Sequence, residues 1–108
     1  MIVVASCGHN ADDERIYHKQ IQSLKKEFNS IAYFTYNKSK NIIDDQSVDH
    51  YHFNSNEFSQ RQYRNKLFEF INHNKSIILH IHDVELLPLA KKVKLTNLDI
   101  KIIYDVHE

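Results

Sequence analysis

Ser76-Ile77-Ile78-Leu79-His80-Ile81-His82-Asp83 runs directly into Val84-Glu85-Leu86-Leu87-Pro88-Leu89-Ala90. The first part is a short apolar run with β-branched residues, the pattern of a strand buried on both faces. The second part is apolar at helical spacing. His80-x-His82-Asp83 falls between them, where the strand should end. In open α/β sheets ligands gather at the carboxyl ends of the strands. A second polar cluster, Asp105-Val106-His107-Glu108, follows another apolar strand at residues 100–104. The two patterns together predict adjacent parallel strands that deliver both clusters to one crevice.

Composition narrows the function classes. A chain of 108 residues is one domain or a piece of one, and at this size folding buries roughly two-thirds of the unfolded surface. The 14 basic and 14 acidic residues cancel, which argues against a broad electrostatic footprint for nucleic acid or anionic lipid. Eight histidines make the chain more cationic below roughly pH 6.5. The single cysteine, Cys7, excludes an internal disulfide and a multi-cysteine zinc site, and points to a reducing, cytoplasmic setting. No apolar run approaches the roughly 20 residues that span a bilayer, and Met1-Ile2-Val3-Val4-Ala5 lacks the basic start of a signal peptide. With one glycine, Gly8, and one proline, Pro88, neither a Gly-x-Gly-x-x-Gly fingerprint nor a P-loop can be built. Turns must use Asn, Asp and Ser.

Taken in order, residues 2–6 read as a first buried strand and Cys7-Gly8-His9-Asn10-Ala11-Asp12 as a loop. Asp12 or Asp13 can cap a helix over residues 14–28, where Ile16, Ile21, Leu24 and Phe28 lie near one face. Residues 31–36 form a second strand. Residues 37–47 are polar and loop-like. Residues 48–53 alternate, as a half-exposed edge strand would. Asn54-Ser55-Asn56 offers caps for a second helix over residues 58–72. Residues 77–81 form the fourth strand, and a third helix begins between Val84 and Pro88, with the proline in its first turn. Residues 100–104 make the fifth strand. The expectation is an α/β fold of three layers: a mainly parallel sheet of five strands in the order 3-2-1-4-5, with three helices on its two faces and right-handed crossovers.

Each candidate residue also has a plain structural reading. His80 and His82 share one face of their strand; His80 suits a hydrogen-bonded core position, whereas His82 sits nearer the strand tip. Asp83 can serve as a helix cap. Gly8 can be a simple turn glycine, and Asp12, Asp13 and Arg15 can be caps with an ion pair. Tyr33, Phe34, Tyr36, Tyr51 and Phe53 suit core and sheet surface, with no basic stripe between them for nucleic-acid stacking. Cys7 lacks the context of a nucleophile. His80, His82, Asp83, Asp105, His107 and Glu108 are metal-ligand types, but no His-x-His-x-Asp-His block is present, and the reading assigns no metal.

Four segments in order carry a resemblance: Asp13-Glu14-Arg15-Ile16-Tyr17-His18-Lys19-Gln20, Ala32-Tyr33-Phe34-Thr35, the block from His80 to Ala90, and Lys101-Ile102-Ile103-Tyr104-Asp105-Val106-His107-Glu108. Together they resemble the N-terminal domain of retaining GT-B-fold glycosyltransferases of group 1, the family-4-like sugar transferases of capsule and lipopolysaccharide synthesis. The His-x-His-Asp-x-Glu-Leu-Leu-Pro and Tyr-Asp-Val-His-Glu blocks are its most specific parts. The resemblance implies a Rossmann-like acceptor domain, here its first part, with a missing C-terminal domain that holds the nucleotide-sugar. It implies transfer of a sugar from that donor to a glycan or lipid-linked acceptor. No further cofactor is implied. His107 is then the catalytic candidate beside the transferred sugar. Gly8 would approach donor phosphates or acceptor, while His82 and Asp83 would line the acceptor side of the cleft. Arg15 joins them as a substrate-binding candidate. The 108 residues alone are expected to be inactive, and a homodimer is open to them because later elements of the fold would leave apolar surface uncovered. The parent enzyme would be cytoplasmic, with peripheral association at the inner face of a membrane left open. Two other classes stand beside this one: a non-catalytic α/β binding module, and a hydrolase using the His/Asp clusters with a metal.

Overall fold

The computed structural model describes residues 1–9, 11, 13–39, 42–74, 77–97 and 99–105. Five strands form one sheet: β1 (Ile2–Ala5), β2 (Ile31–Asn37), β3 (Asp49–Asn54), β4 (Ile78–Ile81) and β5 (Lys101–Tyr104). Their order is β3-β2-β1-β4-β5, and every neighbouring pair is parallel. The expected order is therefore the one observed, and the edge strand β3 is parallel as well.

Burial follows position in the sheet. The central strands β1 and β2 are buried at every residue, as apolar runs sandwiched between helices must be. The edge strand β3 mixes exposed and half-buried residues. Alternation divides the core in two. Val3, Ala5, Phe34, Leu79 and Ile81 meet α2 (Gln60–His73) and α3, which enters through a 3₁₀ turn at Val84–Leu86 and continues as an α-helix at Leu87–Thr96. Ile2, Val4, Ile31 and Tyr33 meet α1 (Glu14–Ile21 continuing through Gln22–Leu24) on the other face through Ile16 and Ile21. Each fully buried side chain of this size contributes roughly 1.5–3 kcal/mol relative to exposure.

The helix ends refine the expectations. Asp13 caps α1, its carboxylate accepting from the Arg15 and Ile16 backbone N–H groups at 2.9 and 3.0 Å; Asp12 lies outside the described residues. The second helix starts at Gln60 rather than residue 58. Its cap is Ser59, in a capping box with Gln62, because only there does an acceptor stand three residues ahead of a matching Gln side chain. Asn54 instead closes a turn to Asn56 N–H at 2.8 Å. Pro88 falls in the first turn of the α-helical part of α3.

The main departure is α1. It is π-helical over Glu14–Ile21 and α-helical over Gln22–Leu24. Residues five apart in an α-helix are rotated by roughly 140°. In the wider π turn, whose hydrogen bonds run five residues back, they come together on one face. Ile16 and Ile21, both fully buried, are such a pair, and so are Arg15 and Gln20.

Candidate functional site

The strand order reverses between β1 and β4, with β2 and β3 on one side and β5 on the other. This is the switch point at which α/β sheets open a crevice. Backbone bonds carry the parallel alignment past the strand ends: His82 N–H donates to the Ala5 carbonyl (3.1 Å), Asp105 N–H to Ile81 (2.9 Å), and Gly8 N–H to Tyr36 (2.7 Å). The residues that follow β1, β4 and β5, as far as Gly8, Asp83 and Asp105, therefore lie at the same end of the sheet.

Asp83 ties two of these loops together across the switch point. Its Oδ2 accepts the Cys7 backbone N–H at 2.6 Å, and its Oδ1 lies 2.8 Å from His9 Nε2. Asp83 occupies the N-cap position of the 3₁₀ turn, but its side chain makes no capping bond there; the carboxylate is spent on the β1 loop instead. His9 also approaches Asp13, with Nδ1 3.6 Å from its carboxylate. Gly8 sits at φ +91°, and a Cβ built on it meets nothing within 4 Å. The glycine is thus required by backbone conformation, and it borders open space.

The same loop is clamped by hydroxyls from the core. Tyr63, fully buried on α2, donates to the Ser6 carbonyl at 2.7 Å, and Tyr33 donates to Ala11 at 2.9 Å. Asn37 Nδ2 donates to the His9 carbonyl at 2.6 Å. Burial holds the Tyr63 phenol well above its ordinary range, with the nearby Cys7 and Asp83 adding to the effect, so it remains a donor. Sequence pattern marked Tyr33 as core and sheet surface without revealing that its polar tip fixes the loop. Burial, reinforced by Glu85 and Asp83, pushes the Cys7 thiol up to about 11; this thiol is not an activated nucleophile.

A cavity of about 430 Å³ opens beside this loop, lined by Cys7, Gly8, Tyr36, Asn37, Gln60 and Glu85 among others. That size falls within the range of small-molecule sites. A larger groove, about 660 Å³, lies at the opposite end of the sheet beside Asn74, Ile77, Asn97 and Lys101.

The second group gathers around Asp105. Val4, His80 and Ile103 are register partners, so they share the α1 face, and alternation carries His82 and Asp105 to it. His80 Nε2 and His82 Nδ1 lie 3.9 and 3.8 Å from Asp105 Oδ2. Arg15 donates to Asp105 Oδ1 at 3.1 Å, and Gln20 donates its amide N–H to Oδ2. The π winding of α1 is what lets Arg15 and Gln20 reach one carboxylate. Gln20 is a site residue that sequence reasoning missed; its signal is the five-residue spacing from Arg15.

Of the sequence candidates, the structure joins Gly8 to Asp83 through the β1 loop, and His82 to Arg15 through Asp105. His107, with Val106 and Glu108, lies outside the described residues.

Another imidazole pair sits away from the crevice, on β3. The Ile43 N–H donates to His50 Nδ1 at 3.0 Å, so a neutral His50 carries its proton on Nε2 and gives it to Thr35 Oγ1 (2.7 Å). Thr35 in turn donates to His52 Nδ1 (2.8 Å), whose Nε2–H donates to the Ser39 carbonyl (2.6 Å). Every donor meets an acceptor when both rings are neutral. Burial, with His52 adding to it, brings His50 down to about 4. This chain pins the residues after β2 to β3 and is structural.

No family model matches the sequence. Comparison with curated proteins and with solved structures finds no significant match. Among the described residues no helix is long and apolar enough to cross a membrane.

Proposed function

We propose that this chain forms the acceptor side of a nucleotide-sugar-dependent, retaining glycosyltransferase of GT-B architecture, with its donor-binding half contributed by a second Rossmann-like domain. One observation supports this reading above others. Residues from three of the segments that carry the resemblance meet at the switch-point crevice beside the β1 loop with Gly8: Asp83 accepts the Cys7 N–H, and His82 and Arg15 both approach Asp105. A small-molecule-sized cavity adjoins the same loop. Donors and acceptors of both signs, a neutral overall charge and nearby aromatic rings suit a polyhydroxylated ligand better than a polyanion.

In this reading Asp83 and the tyrosine hydroxyls act as positioning residues. They hold the Gly8 backbone where a sugar or phosphate can approach it. Arg15 and Asp105 offer a donor and an acceptor to hydroxyls at the mouth of the crevice, and His107 is the residue proposed beside the transferred sugar. The product would belong to cell-surface polysaccharide synthesis, in the cytoplasm.

The test is a titration of the ¹⁵N-labelled 108-residue chain with a panel of nucleotide-sugars and neutral oligosaccharides. The expected result is saturable shifts confined to Cys7, Gly8, His9, Arg15, Asp83 and Asp105, with no donor-dependent turnover by this chain alone. Shifts centred on the opposite groove at Asn74 and Asn97, or no shifts with any sugar, would overturn the proposal.

A further inference from the structure

The Asp105 group has a chemistry that sugar binding does not use. His80 and His82 stack with ring centroids 4.6 Å apart and planes 22° from parallel. One nitrogen of each ring and Asp105 Oδ2 all lie within 4.8 Å of one another. The two His–Asp separations, 3.9 and 3.8 Å, exceed a hydrogen bond. They approach the spacing of ligands around one cation: with metal–ligand bonds of about 2.0–2.2 Å, tetrahedral neighbours sit roughly 3.3–3.5 Å apart.

We propose that His80, His82 and Asp105 form a divalent transition-metal site of the Zn²⁺ class, with three ligands from these side chains and a fourth position that water or the Gln20 amide oxygen takes. Two imidazoles and a carboxylate are the donor set of open, catalytic-type zinc sites, whereas closed structural sites favour thiolates. The platform is rigid, because i and i+2 on one strand hold both rings on one face, and the neighbouring strand supplies the carboxylate. Arg15 holds Oδ1 and thereby turns Oδ2 toward the rings, the outer-shell arrangement that orients a ligating carboxylate. Gln20 strengthens the case. Among the described residues its buried Oε1 meets no hydrogen-bond partner, while its Nε2 points at Oδ2. A half-turn of the amide exchanges the two atoms and presents a neutral oxygen as a fourth ligand.

Closure needs about 0.4 Å on each His–Asp pair and at most roughly 1.4 Å across the two rings to reach tetrahedral spacing. Rotation of the imidazoles about χ2, a soft torsion, supplies movements of this kind. The Arg15 guanidinium opposes an incoming cation, so the site should exchange its metal rather than trap it. The site shares Asp105 and Arg15 with the sugar-transfer reading but does not rest on it, and a metal titration with no sugar present reads it separately.

The test uses the metal alone. Metal-free protein is titrated with Co²⁺, whose visible absorption reports the ligand set, and then with Zn²⁺. The expected result is one Co²⁺ per chain, displaced by one Zn²⁺. The Zn²⁺ should move the imidazole ¹⁵N resonances of His80 and His82 and leave those of His50 and His52 in place. Asp105→Asn should weaken Co²⁺ binding by more than about tenfold, since even outer-shell changes cost roughly 10–100-fold. His52→Asn should not change it. Absence of stoichiometric Co²⁺ uptake would overturn the site, as would full affinity in Asp105→Asn or resonance changes at His50 and His52 instead. The resonance measurement on the unaltered chain decides the matter even where a variant fails to fold.

Discussion

Replacing Asp83 tests whether the crevice is built by a carboxylate bridge between the β1 loop and the β4 tip. Its side chain is only 11% exposed and holds the Cys7 N–H at 2.6 Å and His9 Nε2 at 2.8 Å. A hydrogen bond to a charged group contributes about 1.5–3 kcal/mol, and the same range covers most of the cost of leaving a buried N–H without an acceptor. The His9 partner is more exposed, at 28%, and adds about 0.2–1 kcal/mol. Asp83→Ala should therefore destabilise the fold by about 2–4 kcal/mol. Asp83→Asn keeps an acceptor for Cys7 and loses only the charge, so it should cost about 1 kcal/mol. For a domain of this size each kcal/mol lowers Tm by roughly 4–8 °C, which separates the two variants in a thermal or urea melt. Amide exchange at Cys7 should quicken in Asp83→Ala. Glu85→Ala, an exposed change two residues away, should stay within about 0.5 kcal/mol. Equal losses in Asp83→Ala and Asp83→Asn, or a loss under about 0.5 kcal/mol in both, would refute the bridge.

The other predictions concern the scaffold that holds this end of the sheet. Tyr63→Phe keeps the ring stacked on Tyr36 but removes the donor to the Ser6 carbonyl, and should cost about 1–3 kcal/mol by urea denaturation. Leu67→Ala, at a fully buried position on α2, should cost about 2–5 kcal/mol; Ser59→Ala, which removes the α2 cap, should cost about 0.5–2 kcal/mol, so the melts should rank the two in that order. His50 gives a pH signature. Its pKa falls from 6.5 to about 4 on folding, so the unfolded chain binds the extra proton first; this contribution to stability is complete above about pH 6.5 and disappears as pH drops toward 4. Urea melts across that window should show the loss, and His50→Gln should flatten the slope.

Strand positions and their order were legible because the physics behind them is local. Residues 2–6, 31–36 and 77–81 are mostly apolar, broken only by Ser6, Thr35 and His80, and a run that cannot expose either face must lie inside a sheet covered on both. Alternation in residues 48–53 likewise marked the edge, where β3 lies at Asp49–Asn54. The loop between β1 and α1 was less legible. Nothing in Cys7-Gly8-His9 says that Asp83, 76 residues away from Cys7, will accept its N–H. Nor does the apolar pattern of α2 say that the hydroxyl of Tyr63 will reach Ser6. An aspartate after a strand and before a helix is most simply read as a cap, and the cap position is indeed where Asp83 sits. Its side chain turns instead to the part-buried N–H of Cys7, because a donor shielded from water costs more to leave unpaired than an exposed helix end that water can satisfy.

The first helix shows how a spacing can be read correctly as amphipathic and still conceal the geometry that matters. Ile16 and Ile21 mark an inward face, but a step of five fits the α-helical period poorly. The polar residues one position earlier, Arg15 and Gln20, repeat the same step. A wider turn brings both pairs onto common faces, and the π-helical segment Glu14–Ile21 provides it. The isoleucines then seal the β1–β2 face, while Arg15 and Gln20 both reach Asp105 on β5's tip. An α-helical α1 would bury one isoleucine of the pair less completely and present only one of the two polar groups to the carboxylate. The winding of this helix therefore couples the core beneath β1 and β2 to the chemistry at the ends of β4 and β5. Substitutions that restore α-helical periodicity should loosen the Asp105 group before they unfold the sheet.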